Sequence, residues 1–98
     1  STFLTANLTQ SFQVQNGFWC NRKTLDDLQL LKQTGARVIA VVRNNEVHPN
    51  PDLQFSLTPD DILILFGRHA QLDQSVKILE SGGKTERREP GPGEQGGG

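Results

Sequence analysis

The chain predicts a small α+β fold: a mainly antiparallel β-sheet with two packed helices. Three observations carry that expectation. Apolar residues switch between alternation with period two and helical spacing as the chain is read. Glycine, proline or paired Asn and Asp residues mark each switch, at Asn16-Gly17, Gly35, Asn44-Asn45 and Thr58-Pro59-Asp60-Asp61. The apolar residues also end at Leu79, and Glu80 to Gly98 contain none.

Ser1 to Gln10 reads as a linker end or a strand extension, with Phe3, Leu4 and Leu8 scattered through it. Ser11 to Gln15 alternates, with Phe12 and Val14 on one side, as a half-buried strand does. Phe18, Trp19 and Cys20 form a connection expected to cover one edge of the core. Thr24 then opens a helix. Its hydroxyl accepts from an orphan amide, and Asp27 reaches back in the manner of a capping box. Leu25, Leu28 and Leu31 make an apolar stripe that Leu30 widens, and Gly35 stops the helix after about three turns.

Arg37 to Arg43 is apolar and β-branched from Val38 to Val42, which predicts a central strand buried on both faces. Asn44-Asn45 suits a two-residue turn with positive φ, and Glu46-Val47-His48 returns as the partner strand. Pro49 to Asp52 ends that pairing, because proline cannot donate to a ladder. Phe55 and Leu57 alternate with Gln54 and Ser56, predicting a fourth strand. Ile62 to Phe66 is a fifth, closed by Gly67. Leu72, Val76 and Leu79 place a final helix over Ala70 to Leu79. Residues 11–79 thus form one folding unit, and residues 80–98 are expected to be disordered.

Composition narrows the function. Hydrophobic residues are 34% of the 98, rising to about 42% once the last 19 are set aside, which is normal for a globular domain. Up to Leu79 there are seven basic and seven acidic residues. A neutral fold exerts no general pull on nucleic acid or anionic lipid. Cys20 is the single cysteine, which excludes an intramolecular disulfide and a four-cysteine zinc site. No Met stands at position 1, so the chain is expected to be processed or excised from something larger.

Catalytic constellations are missing. There is no phosphate-cradling glycine loop and no nucleophile elbow. His48 and His69 are too far apart for a short metal motif, and Cys20 has no sequence neighbour to activate it. Asp26-Asp27 and Asp60-Asp61 read as cap and turn residues; a divalent ion at Asp60-Asp61 would require a symmetric interface. Arg43 precedes the Asn44-Asn45 turn and Asn50-Pro51 follows the return strand, so these groups are candidates to line one cleft. A guanidinium there offers a planar fork of donors to phosphate or carboxylate.

One set of residues resembles a known family. Lys23, Thr24, Leu25, Leu28, Leu30, Gly35, Val38 to Val41, Arg43, Asn50, Pro51, Asp52, Leu57, Asp61, Leu63 and Gly67 follow the pattern of the RCK_C (TrkA-C) domain. The resemblance covers Ser11 to Leu79. It implies a β-α-β-β-β-β-α regulatory module, not an enzyme, on the cytoplasmic side of a membrane transport system. Such modules serve potassium channels, Trk/Ktr uptake systems and cation/proton antiporters. They usually form homodimers, and their membrane transport protein lies in cis or in a partner subunit. Some bind a cyclic dinucleotide, a nucleotide or a divalent cation. The positions matching the cyclic-dinucleotide cleft are Ile39, Val42, Arg43, Asn50 and Pro51. No cofactor is certain, no metal site is implied, and no nucleic-acid partner is expected. A structural dimerisation module without a ligand is the alternative. Two positions depart from the family: Arg22 and Asp60 stand where glycine is common, and both concern turn geometry.

Overall fold

The computed structural model describes residues 6–83. The expected tail at 80–98 lies largely outside the described residues, as does half of the N-terminal extension. The elements are β1 (Asn7–Gln13), α1 (Leu25–Leu28), α2 (Leu30–Thr34), β2 (Arg37–Arg43), β3 (Glu46–Pro49), β4 (Ile62–Arg68) and α3 (His69–Ser81). The strands form one sheet in the order β1-β4-β2-β3, and every pair is antiparallel. The first strand begins at Asn7 rather than Ser11, because its amides and carbonyls continue along β4 as far as Arg68.

The expected α+β class is therefore present, but two elements differ. The strand anticipated at Gln54–Leu57 is absent. Asp52 turns the chain first: its Oδ1 accepts from Gln54 N at 2.7 Å and its carbonyl from Phe55 N at 3.0 Å. The segment then pairs with the approach to the first helix instead of the sheet. Leu57 N donates to Lys23 O at 2.8 Å and Arg22 N to Leu57 O at 3.0 Å, flanking a single bridge between Thr24 and Ser56. Alternation alone could not tell a sheet partner from a loop partner.

The helix expected from Thr24 to Gly35 is split at Gln29, which adopts φ +49°. The capping box forms as read: Thr24 Oγ1 accepts from Asp27 N at 3.1 Å, and Asp27 Oδ2 accepts from Thr24 N at 2.9 Å. Those bonds hold the Asp27 carboxyl below its ordinary range. At the split, the Gln29 side-chain amide donates to Asp26 O at 2.8 Å. One left-handed residue changes the helical phase, so Leu30 turns into the core at 4% exposure and Leu31 turns out at 51%. The stripe is Leu25, Leu28 and Leu30, not Leu25, Leu28 and Leu31. Gly35, at φ +87°, caps α2 through its amide to Leu31 O at 2.9 Å.

The core lies on one side of the sheet. Along β4, Leu63, Leu65 and Gly67 are buried, while Ile62, Ile64 and Phe66 are only half-buried. On β2 only Val41 is fully buried, which corrects the expectation of a strand covered on both faces. Leu72, Ile78 and Leu79 of α3 meet Leu63 and Leu65 in that core, with Leu28, Leu57, Val14 and Cys20. Phe18 and Trp19 pack against its margin, and the backbone there is tied to the end of α3 by Cys20 N to Leu79 O at 3.0 Å. Gly67 sits within β4 rather than after it. A Cβ there would lie 3.1 Å from Ala36 Cβ and 3.0 Å from Gln71 Oε1, so its bareness lets the starts of β2 and α3 meet. Thr34 Oγ1 and Ser75 Oγ, 3.1 Å apart and buried, join α2 to α3.

Arg22 and Asp60 both adopt the left-handed conformation, at φ +73° and +76°. Their positions thus demand what glycine supplies most easily. Arg22→Gly and Asp60→Gly are each expected to stabilise the fold by about 0.5–1 kcal/mol, read from urea midpoints. The one-sided core gives a sharper contrast between neighbours on β4. Leu63→Ala should cost about 2–5 kcal/mol, and Ile64→Ala clearly less, in the same denaturation measurement. Equal losses would show that the second face is also filled.

Candidate functional site

Asp61 begins β4 and is 1% exposed, so its charge must be matched inside the protein. The match is Arg43, at the far end of β2. Arg43 Nε donates to Asp61 Oδ1 at 2.8 Å and Nη2 to Oδ2 at 2.7 Å, a two-pronged pair. Thr58 N adds a third donor to Oδ2 at 2.8 Å. Arg43 Nη2 also donates to Ser56 O at 2.8 Å, and its Cζ lies 4.6 Å from the centroid of the Phe55 ring. His48 closes the stack, 5.5 Å from Phe55. Burial alone would raise the Asp61 carboxyl, but the bonds from Arg43 and Thr58 outweigh it and hold it below its ordinary value. The same pairing raises Arg43.

Asn50 lies at the other end of the β2–β3 ribbon, at φ +45°, with its amide bonded to Ile39 O at 2.9 Å. The register places Ala40 opposite Pro49 and Arg43 opposite Glu46. Ile39 and Arg43 are therefore separated by about 13 Å at ~3.3 Å per residue. The structure brings together Ile39, Asn50 and Pro51 at one end, and Val42 with Arg43 at the other. They do not line a single cleft within one copy. Arg43 is also less free than its place in the sequence suggests, because Nε and Nη2 already have acceptors. Sequence reading missed this pairing, although Asp61 before an apolar strand was its one signal.

Val42 belongs to a broader feature. Strand geometry sends alternate side chains to opposite faces. Ile62, Ile64 and Phe66 therefore share a face with Ala40 and Val42, and the register adds Val47, 59% exposed. Thr9, Ser11 and Gln13 flank it along β1. Among the described residues no helix covers this apolar face. The covered side carries a separate groove of about 410 Å³, lined by Leu25, Leu28, Ala36, Val38, Pro51 and Leu53, among others.

The other candidates separate. Asp60 is exposed and Asp61 buried, so the adjacent carboxylates point apart. Among the described residues no group of three or more His, Cys, Asp or Glu could hold a metal ion. His69 is exposed beside Asp73 at 3.5 Å. Burial pushes the Cys20 thiol up to about 11, opposite to the shift that activates a nucleophile. Among the described residues no helix is long and apolar enough to cross a membrane.

Fold and site define a small α+β module with one covered and one open sheet face, and comparison with known proteins assigns its family. The model of the TrkA-C domain matches residues 11–80, and the chain belongs to that family. No curated protein matches. Among solved structures, the RCK C domain of the potassium transport protein KtrA, in complex with cyclic diadenosine monophosphate, is similar at 23% identity and a TM-score of 0.68. That match covers 74% of this chain and 84% of that one. The RCK_C domain dimer of Streptococcus-type S. agalactiae BusR, also with cyclic diadenosine monophosphate, is similar at 17% identity and a TM-score of 0.63, over 72% of this chain and 86% of that one. The GsuK channel is similar at 21% identity and a TM-score of 0.69, over 92% of this chain but 15% of that one. At these identities the likeness shows the fold. BusR is also known bound to its busAB-promotor DNA, in a chain of which this one spans 34%, so the expected lack of a nucleic-acid partner has a counter-example among proteins of this fold.

The Arg43–Asp61 pair sets an acid limit. Asp61 is held below its ordinary value of 3.8, so its contribution is complete above that pH and is lost as pH falls towards the lowered value. Asp61→Asn should cost about 3–5 kcal/mol at neutral pH, because it leaves Arg43 without its counter-charge. It should also flatten the fall in melting temperature below about pH 4, compared by calorimetry with the unaltered chain. An unchanged slope would locate the acid sensitivity elsewhere.

Proposed function

We propose that this chain is a ligand-sensing, dimerising regulatory domain of a system that transports a monovalent cation, either potassium or sodium in exchange for protons. The open apolar face of β2 and β4 carries the reading, because it lies on the strand that bears Ile39, Val42 and Arg43. A second copy seated there would bury Ile62, Ile64, Phe66 and Val42. It would also bring the Ile39–Asn50–Pro51 end of one copy towards the Val42–Arg43 end of the other, which one copy alone cannot do. The ligand class favoured is a cyclic dinucleotide, as in the KtrA and BusR complexes, with a nucleotide or a divalent cation as other outcomes of the same titration.

Regulation then follows from linkage. A ligand that binds one arrangement of the dimer more tightly shifts the population towards it, by no more than its difference in affinity. The transport protein, joined in cis or as a partner subunit on the cytoplasmic side, receives that shift as a change in geometry. A second reading is a dimerisation module with no ligand. The observation favouring it is that Asp61 and Ser56 O already occupy Nε and Nη2 of Arg43.

Two measurements test this. Sedimentation should give a dimer at tens of micromolar chain, and Ile64→Asp should give a folded monomer by placing a charge on the open face. Cyclic diadenosine monophosphate at 100 times its Kd should stabilise the native state by about 2.7 kcal/mol, seen as a higher melting temperature. Asn50→Ala should abolish that rise and leave the dimer intact. A dimer that no cyclic dinucleotide, nucleotide or divalent ion stabilises would favour the purely structural module. A strict monomer at millimolar concentration, with no ligand response, would reject both.

A further inference from the structure

The groove on the helix-covered side owes its shape to the split at Gln29. A continuous helix would carry Leu31 in the buried stripe; the left-handed Gln29 instead leaves Leu31 51% exposed. Leu53, on the opposite wall, is 62% exposed. Between them the floor is apolar, formed by Leu25, Leu28, Ala36 and Val38, with Pro51 at one side. Its volume of about 410 Å³ lies within the usual range of small-molecule sites, ~300–1,000 Å³. Large apolar side chains left in water around a concave apolar floor are what an apolar ligand would cover.

Charge selects the kind of ligand. Lys32 and Arg37 line the groove, both are exposed, and neither has an ionic partner among the described residues. The acid beside them, Asp26, is already engaged: its Oδ1 accepts from Gln29 Nε2 at 3.3 Å. The lining therefore offers two unmatched cations and one acid held by its neighbour. Only Pro51 is shared with the residues proposed for the cyclic dinucleotide, and Val42 lies on the other face of the sheet.

We propose that this groove binds a small amphipathic anion, with an apolar body against Leu28, Leu31, Val38 and Leu53 and one carboxylate or phosphate at Lys32 and Arg37. The site is independent of the dimer and of the regulatory reading, and it stands or falls without them.

Methyl-resolved NMR of the full chain tests it with three probes, each below its micellar concentration: octanoate, octyl phosphate and octanol. Octanoate and octyl phosphate should give saturable shifts confined to the methyls of Leu28, Leu31, Val38 and Leu53. The better of the two should bind about fivefold or more tightly than octanol, and which one does so tells carboxylate from phosphate. The double variant Lys32→Gln/Arg37→Gln changes two exposed side chains and should keep its melting temperature. It should lose the preference for the anion and keep the affinity for octanol. Three results overturn the proposal: no saturable shift at those methyls, shifts centred on Ile64 and Val42 of the opposite face, or octanol binding as tightly as both anions.

Discussion

Asp61 is charged and buried, and the chain between β3 and β4 is arranged to satisfy it. A carboxylate taken out of water needs donors on most of its lone pairs, or it becomes one of the costliest groups in a small core. Here Arg43 supplies two and the Thr58 amide a third. Each donor fixes a different part of the molecule: Arg43 the end of β2, Thr58 the turn into β4, and Ser56 O, through Arg43, the loop before it. Phe55 is drawn over the guanidinium, and Leu57 is delivered to the core. One buried charge thus sets the path of a connection that would otherwise have extended the sheet.

The second constraint is that a domain of this size covers only one face of its sheet. Two short helices and α3 gather on the side of Leu63, Leu65 and Val41, where Gly67 and Ala36 allow close approach. The opposite face keeps its β-branched and aromatic residues without a layer to bury them. In a small domain that surface represents hydrophobic stabilisation not yet used, and association is the ordinary way to use it. The arrangement also places the β2–β3 ribbon, with its strained Asn50 turn, at the border of the open face.

The two sides of the sheet therefore offer different chemistry. The open face is broad and apolar with a polar flank along β1, suited to another flat surface. The groove on the covered side is concave, with unmatched cations in its lining, suited to something small. The split at Gln29 makes the difference, because it sends Leu31 out and opens the space between α1, α2 and the Pro51–Leu53 segment.

The sequence by itself determined the class of fold, the capping box at Thr24, the stop at Gly35, the Asn44-Asn45 hairpin, the last helix and the family. These are local properties: a cap, a turn and an alternation are encoded within a few residues. Arg22 and Asp60 were also legible as turn positions that glycine would fit. Tertiary structure decided the rest. Period two at Phe55 and Leu57 describes alternate burial, and the partner can be a sheet or a loop; Asp61 and Arg43, 18 residues apart, decided for a loop. The run Val38 to Val42 has the composition of a doubly covered strand, but coverage depends on whether a second layer exists, which no strand states. Leu30 and Leu31 are adjacent and equally apolar, so only the left-handed turn at Gln29 could choose between them. For the candidate site, residue types were readable while their grouping was not, because Ile39, Val42, Arg43, Asn50 and Pro51 are spread over both ends of a ribbon by the register of β2 with β3.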